Sequence, residues 1–207
     1  IHTPKNGRTK RTKHKQINPR KTMAYRNKYD STGKCSEEGA NAEATFVALA
    51  TKRGYSPRKT SKQDDMRKHV DYVLKAKGKS GKPVELGVDV KAMKRIQRRV
   101  VKGGELAKVQ DEWHWIELKN VQGKHGWVYG EAHFIAFERE NDFIMVNRQE
   151  LVDWLGSSKK IRYDLPFVTL AKLAKYKIYQ RKGRRDEITQ IKTEDLLNLK
   201  SAKIWKK

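Results

Sequence analysis

The stretch Val84-Glu85-Leu86-Gly87-Val88-Asp89-Val90-Lys91 separates packing from chemistry. In an extended strand successive side chains point to opposite faces. Val84, Leu86, Val88 and Val90 then take one face, wholly apolar and expected to be buried. Glu85, Asp89 and Lys91 take the other, with Gly87 leaving room between them. Upstream, Asp71 is a lone acid among Val70, Tyr72, Val73 and Leu74. If the two segments pair as a hairpin, Asp71 and Asp89 meet on one face. Glu43 falls on a helical stripe with Ala40, Val47 and Ala50, Phe46 alongside, so it is expected to look inward and close a third side.

Three carboxylates converging on one point raise one another's pKa and repel unless a cation neutralises them. Oxygen ligands of this kind suit Mg²⁺ or Mn²⁺. Such an ion polarises a phosphoryl oxygen and lowers the pKa of a bound water. A lysine beside it, here Lys91, can orient the water and stabilise charge developing on a phosphate.

The elements that must position these groups are legible in outline. A helix is expected from Ser36 as N-cap to about Arg53, with Gly54 as its stop. Residues 55–68 read as a basic, polar loop. Strands are expected at His69–Ala76 and Val84–Met93, on either side of a Gly78–Pro83 turn, and at Trp113–Val121. Lys94–Lys102 reads as a basic excursion. His133–Glu138 and Phe143–Val146 form a hairpin, and Asn147 with Glu150 opens a short helix to Leu155. Further helices are expected at Phe167–Tyr179 and from Thr193 to Trp205. The order implies an α/β fold, a mixed central sheet flanked by helices, in three parts: a basic arm over 1–35, disordered by itself, a core over 36–156, and a basic helical extension over 157–207.

Charge names the partner class. The chain of 207 residues carries 48 Lys and Arg against 24 Asp and Glu, a formal charge of +24. That imbalance gains nothing in folding, because like charges repel in the compact state. Releasing counterions from phosphates is the usual compensation, so nucleic acid is the expected partner. A membrane is disfavoured, since no apolar run approaches the roughly 20 residues of a spanning helix. Eleven Lys or Arg and a single acid, Asp30, occupy residues 1–34, which suits an arm lying along phosphates or packed inside an assembly. Cys35 is the only cysteine, which excludes an intrachain disulfide and a cysteine-based zinc site and points to a reducing, cytoplasmic setting rather than secretion. The chain begins at Ile1, so either an upstream segment is removed in maturation or it lies outside this sequence.

A helix-borne Glu43, a strand Asp71, then Asp89-x-Lys91 on the next strand resembles the PD-(D/E)xK nuclease superfamily, home of restriction enzymes, resolvases and phage nucleases. The resemblance covers roughly Ser36 to Leu155. It implies Asp71 and Asp89 as metal-holding acids, Glu43 as the helix glutamate and Lys91 as the motif lysine, with Mg²⁺ or Mn²⁺ as cofactor and phosphodiester hydrolysis, of DNA in preference to RNA, as the reaction. The stretch Trp115–Asn120 running to Gly126-Trp127 is similar to small viral or phage nucleases, for which host cytoplasm or a virion interior would be the setting and a homodimer or larger viral assembly the state. Val70 stands where the family's proline would precede Asp71.

Rival readings stand beside these. Chance predicts about four acid-x-Lys triplets in so lysine-rich a chain, and this one has two, so context carries the assignment. The second, Glu117-x-Lys119, alternates with Ile116 and Leu118 and is a second-line site. Phosphate contacts are expected from Lys94, Arg95, Arg98 and Arg99, and from Arg181, Lys182, Arg184 and Arg185. Trp113, Trp115, Trp127 and Tyr129 read first as core and second as base-stacking platforms. His114, His125 and His133 lack a zinc spacing. The main functional alternative is a non-catalytic packaging protein, virion-internal, on a degenerate nuclease fold.

Overall fold

The computed structural model describes residues 34–78, 80–95 and 109–207. Among the described residues four helices, α1 (Lys34–Lys52), α2 (Lys62–Lys68), α3 (Arg148–Ser157) and α4 (Thr193–Leu197), accompany ten strands. These are β1 (Ser56–Lys59), β2 (Tyr72–Lys77), β3 (Pro83–Lys91), β4 (Lys94–Arg95), β5 (Val109–Gln110), β6 (Trp113–Lys119), β7 (Phe134–Glu138), β8 (Asp142–Asn147), β9 (Glu187–Lys192) and β10 (Lys203–Lys206). The fold is the expected α/β architecture, with a six-stranded mixed sheet in the order β1-β2-β3-β7-β8-β10. Every neighbouring pair is antiparallel except β3 with β7.

The central strands are apolar on both sides because each side of the sheet has its own core. Phe143 and Met145 of β8 join Tyr72, Leu74, Val88 and Val90 against α1, which contributes Ala42, Phe46, Leu49 and Ala50. Ile144 and Val146, one residue out of step, join Ile135 and Phe137 on the other face. There they meet α3 and a second, two-stranded sheet of β6 with β9. This two-sided demand explains why β7 and β8 read as near-continuous hydrophobic runs.

Several expectations need correction. The inward stripe of α1 is Ala42, Phe46, Leu49 and Ala50, one position round from the stripe through Ala40, which is exposed. Phe46 sets that rotation: it stacks on Trp205 at 5.7 Å and meets Phe143 edge-on at 5.8 Å. Val84 is 40% exposed rather than buried. Strand β7 runs only beside Val88–Lys91, so the outer half of β3 has no neighbour on that side. The segment expected to be a polar loop at 55–68 forms β1 and α2. The third expected strand, β6, lies in the second sheet and pairs with β9.

The C-terminal region is not the helical extension expected. Phe167–Tyr179 holds a single 3-10 turn at Ala171–Leu173. The expected helix from Thr193 stops at Leu197, and β10 then joins the main sheet beside β8. By contrast α3 starts as expected, the Asn147 side chain accepting from the Glu150 N–H at 3.0 Å. The Glu150 carboxylate accepts instead from the Lys200 and Ser201 N–H groups, at 2.7 and 2.9 Å, tying α3 to the approach of β10. Among the described residues no helix is long and apolar enough to cross a membrane.

Candidate active site

Register brings the two aspartates together. Tyr72 pairs with Val88, so one step back along β2 places Asp71 opposite Asp89. The Asp71 N–H donates to Val88 O at 2.9 Å, and its carboxylate accepts from the Val90 N–H at 2.6 Å. Asp71 is therefore pinned to the edge of β3 by its own backbone and side chain. Asp89 is 2% exposed. It and Lys91 leave β3 on the face away from α1, since Val88 and Val90 occupy the α1 side.

Asp89 Oδ1 is paired with Lys91 Nζ at 2.6 Å, and the Lys91 ammonium lies 4.6 Å from the centre of the Trp127 ring. Asp89 Oδ2 is buried with no hydrogen-bond partner. The Asp71 carboxyl lies within hydrogen-bond reach of Asp89, so a proton retained on Asp89 can bridge them and its loss leaves this oxygen without a partner. Burial pushes the Asp89 carboxyl up to about 7; the Lys91 charge opposes this and the Asp71 charge adds to it.

The other buried acids are satisfied. Asp142 accepts from Arg139 at 2.7 Å and from Lys206 at 3.1 Å. Asp186 is held by Arg181. Asp195 accepts from Lys160 and the Tyr176 hydroxyl, both at 2.5 Å. Among the described residues, the buried side-chain polar atoms left without a partner are two, Asp89 Oδ2 and the indole Nε1 of Trp113. An unsatisfied buried polar atom costs about 1–3 kcal/mol, so two of them in one region call for a reason.

Glu43 is not drawn into the aspartate pair. Its Oε2 accepts from Lys59 Nζ at 2.7 Å and from the Tyr72 hydroxyl at 3.2 Å, on the α1 side. A different carboxylate closes on the site: Asp65 of α2, within hydrogen-bond reach of Asp71. Burial, followed by the Asp71 charge, pushes the Asp65 carboxyl up to about 6. The signal for it was the Ser61-x-x-Asp64 pattern, an N-cap signature inside the supposed loop. Ser61 Oγ indeed accepts from the Asp64 N–H at 3.1 Å, and the left-handed His69 (φ 53°) ends α2 and turns the chain towards Asp71.

The second acid-x-Lys triplet divides. Lys119 pairs with Glu187 at 2.6 Å and is exposed. Glu117 is half-buried and lies within the field of Lys91; burial raises its carboxyl, opposed by that lysine. Lys91 thus acts on carboxylates from two sheets, pairing with Asp89 and influencing Glu117 through space. Of the basic groups expected at phosphates, Arg181 is committed to Asp186 through its guanidinium and its N–H at 3.3 Å. Arg184 sits partly buried in the turn closed by its N–H to Arg181 O, while Lys182 and Arg185 are exposed on that turn. Lys94 and Arg95 lie in the β4–β5 ribbon. Arg98 and Arg99 fall outside the described residues.

Among the described residues no group of three His, Cys, Asp or Glu side chains is set, as they stand, to hold a metal ion. The donor chemistry nevertheless fits a hard divalent cation. Asp65 and Asp89 each lie within hydrogen-bond reach of Asp71, and one Asp89 oxygen is buried and unpartnered. Neither a family model, nor a curated protein, nor a solved structure matches this chain.

Proposed function

We propose that this protein is a nuclease of the PD-(D/E)xK kind, hydrolysing phosphodiester bonds in nucleic acid with Mg²⁺ or Mn²⁺. The observation that carries the reading is the Asp71–Asp89 pair beside Lys91, with a buried Asp89 oxygen that has no protein partner. A cation is the simplest partner for an acid so placed. Asp71 and Asp89 would hold the ion, with Asp65 taking the place assigned by resemblance to Glu43. The ion would supply Lewis-acid polarisation of the phosphoryl oxygen and a more acidic water.

The chain's own residues divide the remaining work. Lys91, paired with Asp89 in this structure, would offer its ammonium to a phosphate oxygen beside the ion and stabilise the charge developing there. Glu117 is a second carboxylate within the electrostatic reach of Lys91. The Trp127 ring limits where that ammonium can go. The +24 charge draws the polyanion in, with DNA favoured, and grips its backbone without reading sequence.

Incubating supercoiled plasmid and labelled single strands with Mg²⁺, with Mn²⁺ and with EDTA tests the reading. Cutting that requires the divalent ion supports it. Tight, salt-sensitive binding with no cutting under any condition would replace it with the packaging role.

A further inference from the structure

Lys91 belongs to two places at once, pairing with Asp89 and lining a pocket rich in aromatic side chains. Asp89 Oδ2 belongs to the acid paired with Lys91. Trp113 belongs to the wall of a pocket of about 290 Å³ that Lys91 also lines. Trp113, Trp115, Trp127, His114 and Phe137 supply most of its ring surface. Trp113 is 6% exposed. Lys175 lies 4.7 Å from its ring centre and Tyr176 meets it edge-on at 5.2 Å, and its buried N–H has no acceptor.

These features define an occupant. A lining rich in aromatic side chains favours a flat ring over an aliphatic chain. The volume sits at the low end of small-molecule pockets, about 300–1,000 Å³, which suits one ring system and excludes a base pair. Lys91 at the rim places the occupant beside a phosphate. Resting on the nuclease reading above, we propose that this pocket receives a single unpaired nucleobase of the substrate strand, adjacent to the phosphate at Lys91. The substrate class is therefore nucleic acid that offers an unpaired base there, as a single strand or as a base extruded from a duplex.

The experiment compares binding of the full chain in EDTA, where no cutting occurs, to four labelled ligands with equal numbers of phosphates. They are a short single strand, the same strand with every base removed, a perfect duplex and a duplex with one bulged base. Counterion release is matched by phosphate number, so the base-bearing to abasic affinity ratio reads the pocket. A stacked base contributes enough for a ratio of about tenfold or more. Trp115→Ala is expected to bring that ratio close to one. Preference for the bulged over the perfect duplex assigns an extruded base, and preference for the single strand alone assigns single-stranded substrate. Equal wild-type affinity for base-bearing and abasic strands overturns the proposal without needing the variant. Because the readout is metal-free, a base preference without cutting in Mg²⁺ would remove the nuclease reading alone, and cutting without a base preference would remove the pocket alone.

Discussion

Replacing Asp89 by Asn should stabilise the metal-free protein at alkaline pH and do little at acid pH. The unfolded chain ionises this side chain at its ordinary value of 3.8, whereas burial holds the folded carboxyl near 7. The native state therefore retains the proton where the unfolded state has lost it. That contribution to stability is fully present below about 3.8 and is lost as pH rises through about 7. Asn keeps the shape and never ionises. The attraction to Lys91 needs no separate correction, since it is already one of the influences setting the value near 7. Three pKa units at about 1.36 kcal/mol each give an advantage of up to about 4 kcal/mol for Asp89→Asn at pH 8, against less than about 1 kcal/mol at pH 4. For a chain of this size the larger figure corresponds to roughly 8–16 °C in Tm. Urea unfolding of both proteins in EDTA at pH 4 and pH 8 measures it. A variant no more stable than wild type at pH 8 would refute the claim that Asp89 is a buried acid lacking its partner.

The remaining predictions concern the frame and the approach of the ligand. Phe46→Ala should cost about 3–5 kcal/mol in urea unfolding, because Phe46 is fully buried between Phe143 and Trp205; a cost under about 1 kcal/mol would mean that α1 does not dock as described. Gly126→Ala should destabilise by about 1–3 kcal/mol or more, since its Cβ would lie 2.1 Å from Glu117 O, and the displaced Trp127 should show as a shifted tryptophan emission. On the nucleic-acid reading, the double variant Lys182→Ala with Arg185→Ala should lower the slope of log affinity against log salt by about two, at about 0.9 per phosphate contact; an unchanged slope would take that turn off the interface.

What the sequence could reveal of the site was the part set by local alternation. Strand β3 carries Asp89 and Lys91 away from Val88 and Val90 because a strand has a period of two, and the antiparallel β2–β3 pairing then fixes Asp71 opposite Asp89. Glu43 was misplaced for a reason that only packing reveals. A helical stripe is broad enough to be read one residue out of step, and the stack of Phe46 on Trp205 chooses the rotation. Asp65 was hidden by weighting charge over capping, although Ser61 and Asp64 mark the helix start.

Long-range pairing explains the other misses. The four residues Lys203–Lys206 look like the end of a helix locally, yet β10 gains its hydrogen bonds from β8, more than fifty positions upstream. The aromatic residues of β6 could be read as core or as stacking surface, and the sequence offers no means to choose. Strand β6 resolves this by having two faces: His114, Ile116 and Leu118 are buried, while Trp115 and Glu117 stay half-buried on the other. Similarly, nothing local distinguishes Asp89 from Asp142, Asp186 or Asp195. Each of those three meets a cation or hydroxyl that satisfies it, and only the assembled fold leaves Asp89 Oδ2 alone.

The central claim, that Lys91 beside the aspartate pair carries phosphodiester chemistry, is tested most directly by measuring cleavage and binding on the same samples of wild type and Lys91→Ala in Mg²⁺. The account predicts that cleavage falls by about 100-fold or more while affinity for the same strand changes by about twofold at most. Metal-dependent cleavage that survives Lys91→Ala at the wild-type rate would contradict it.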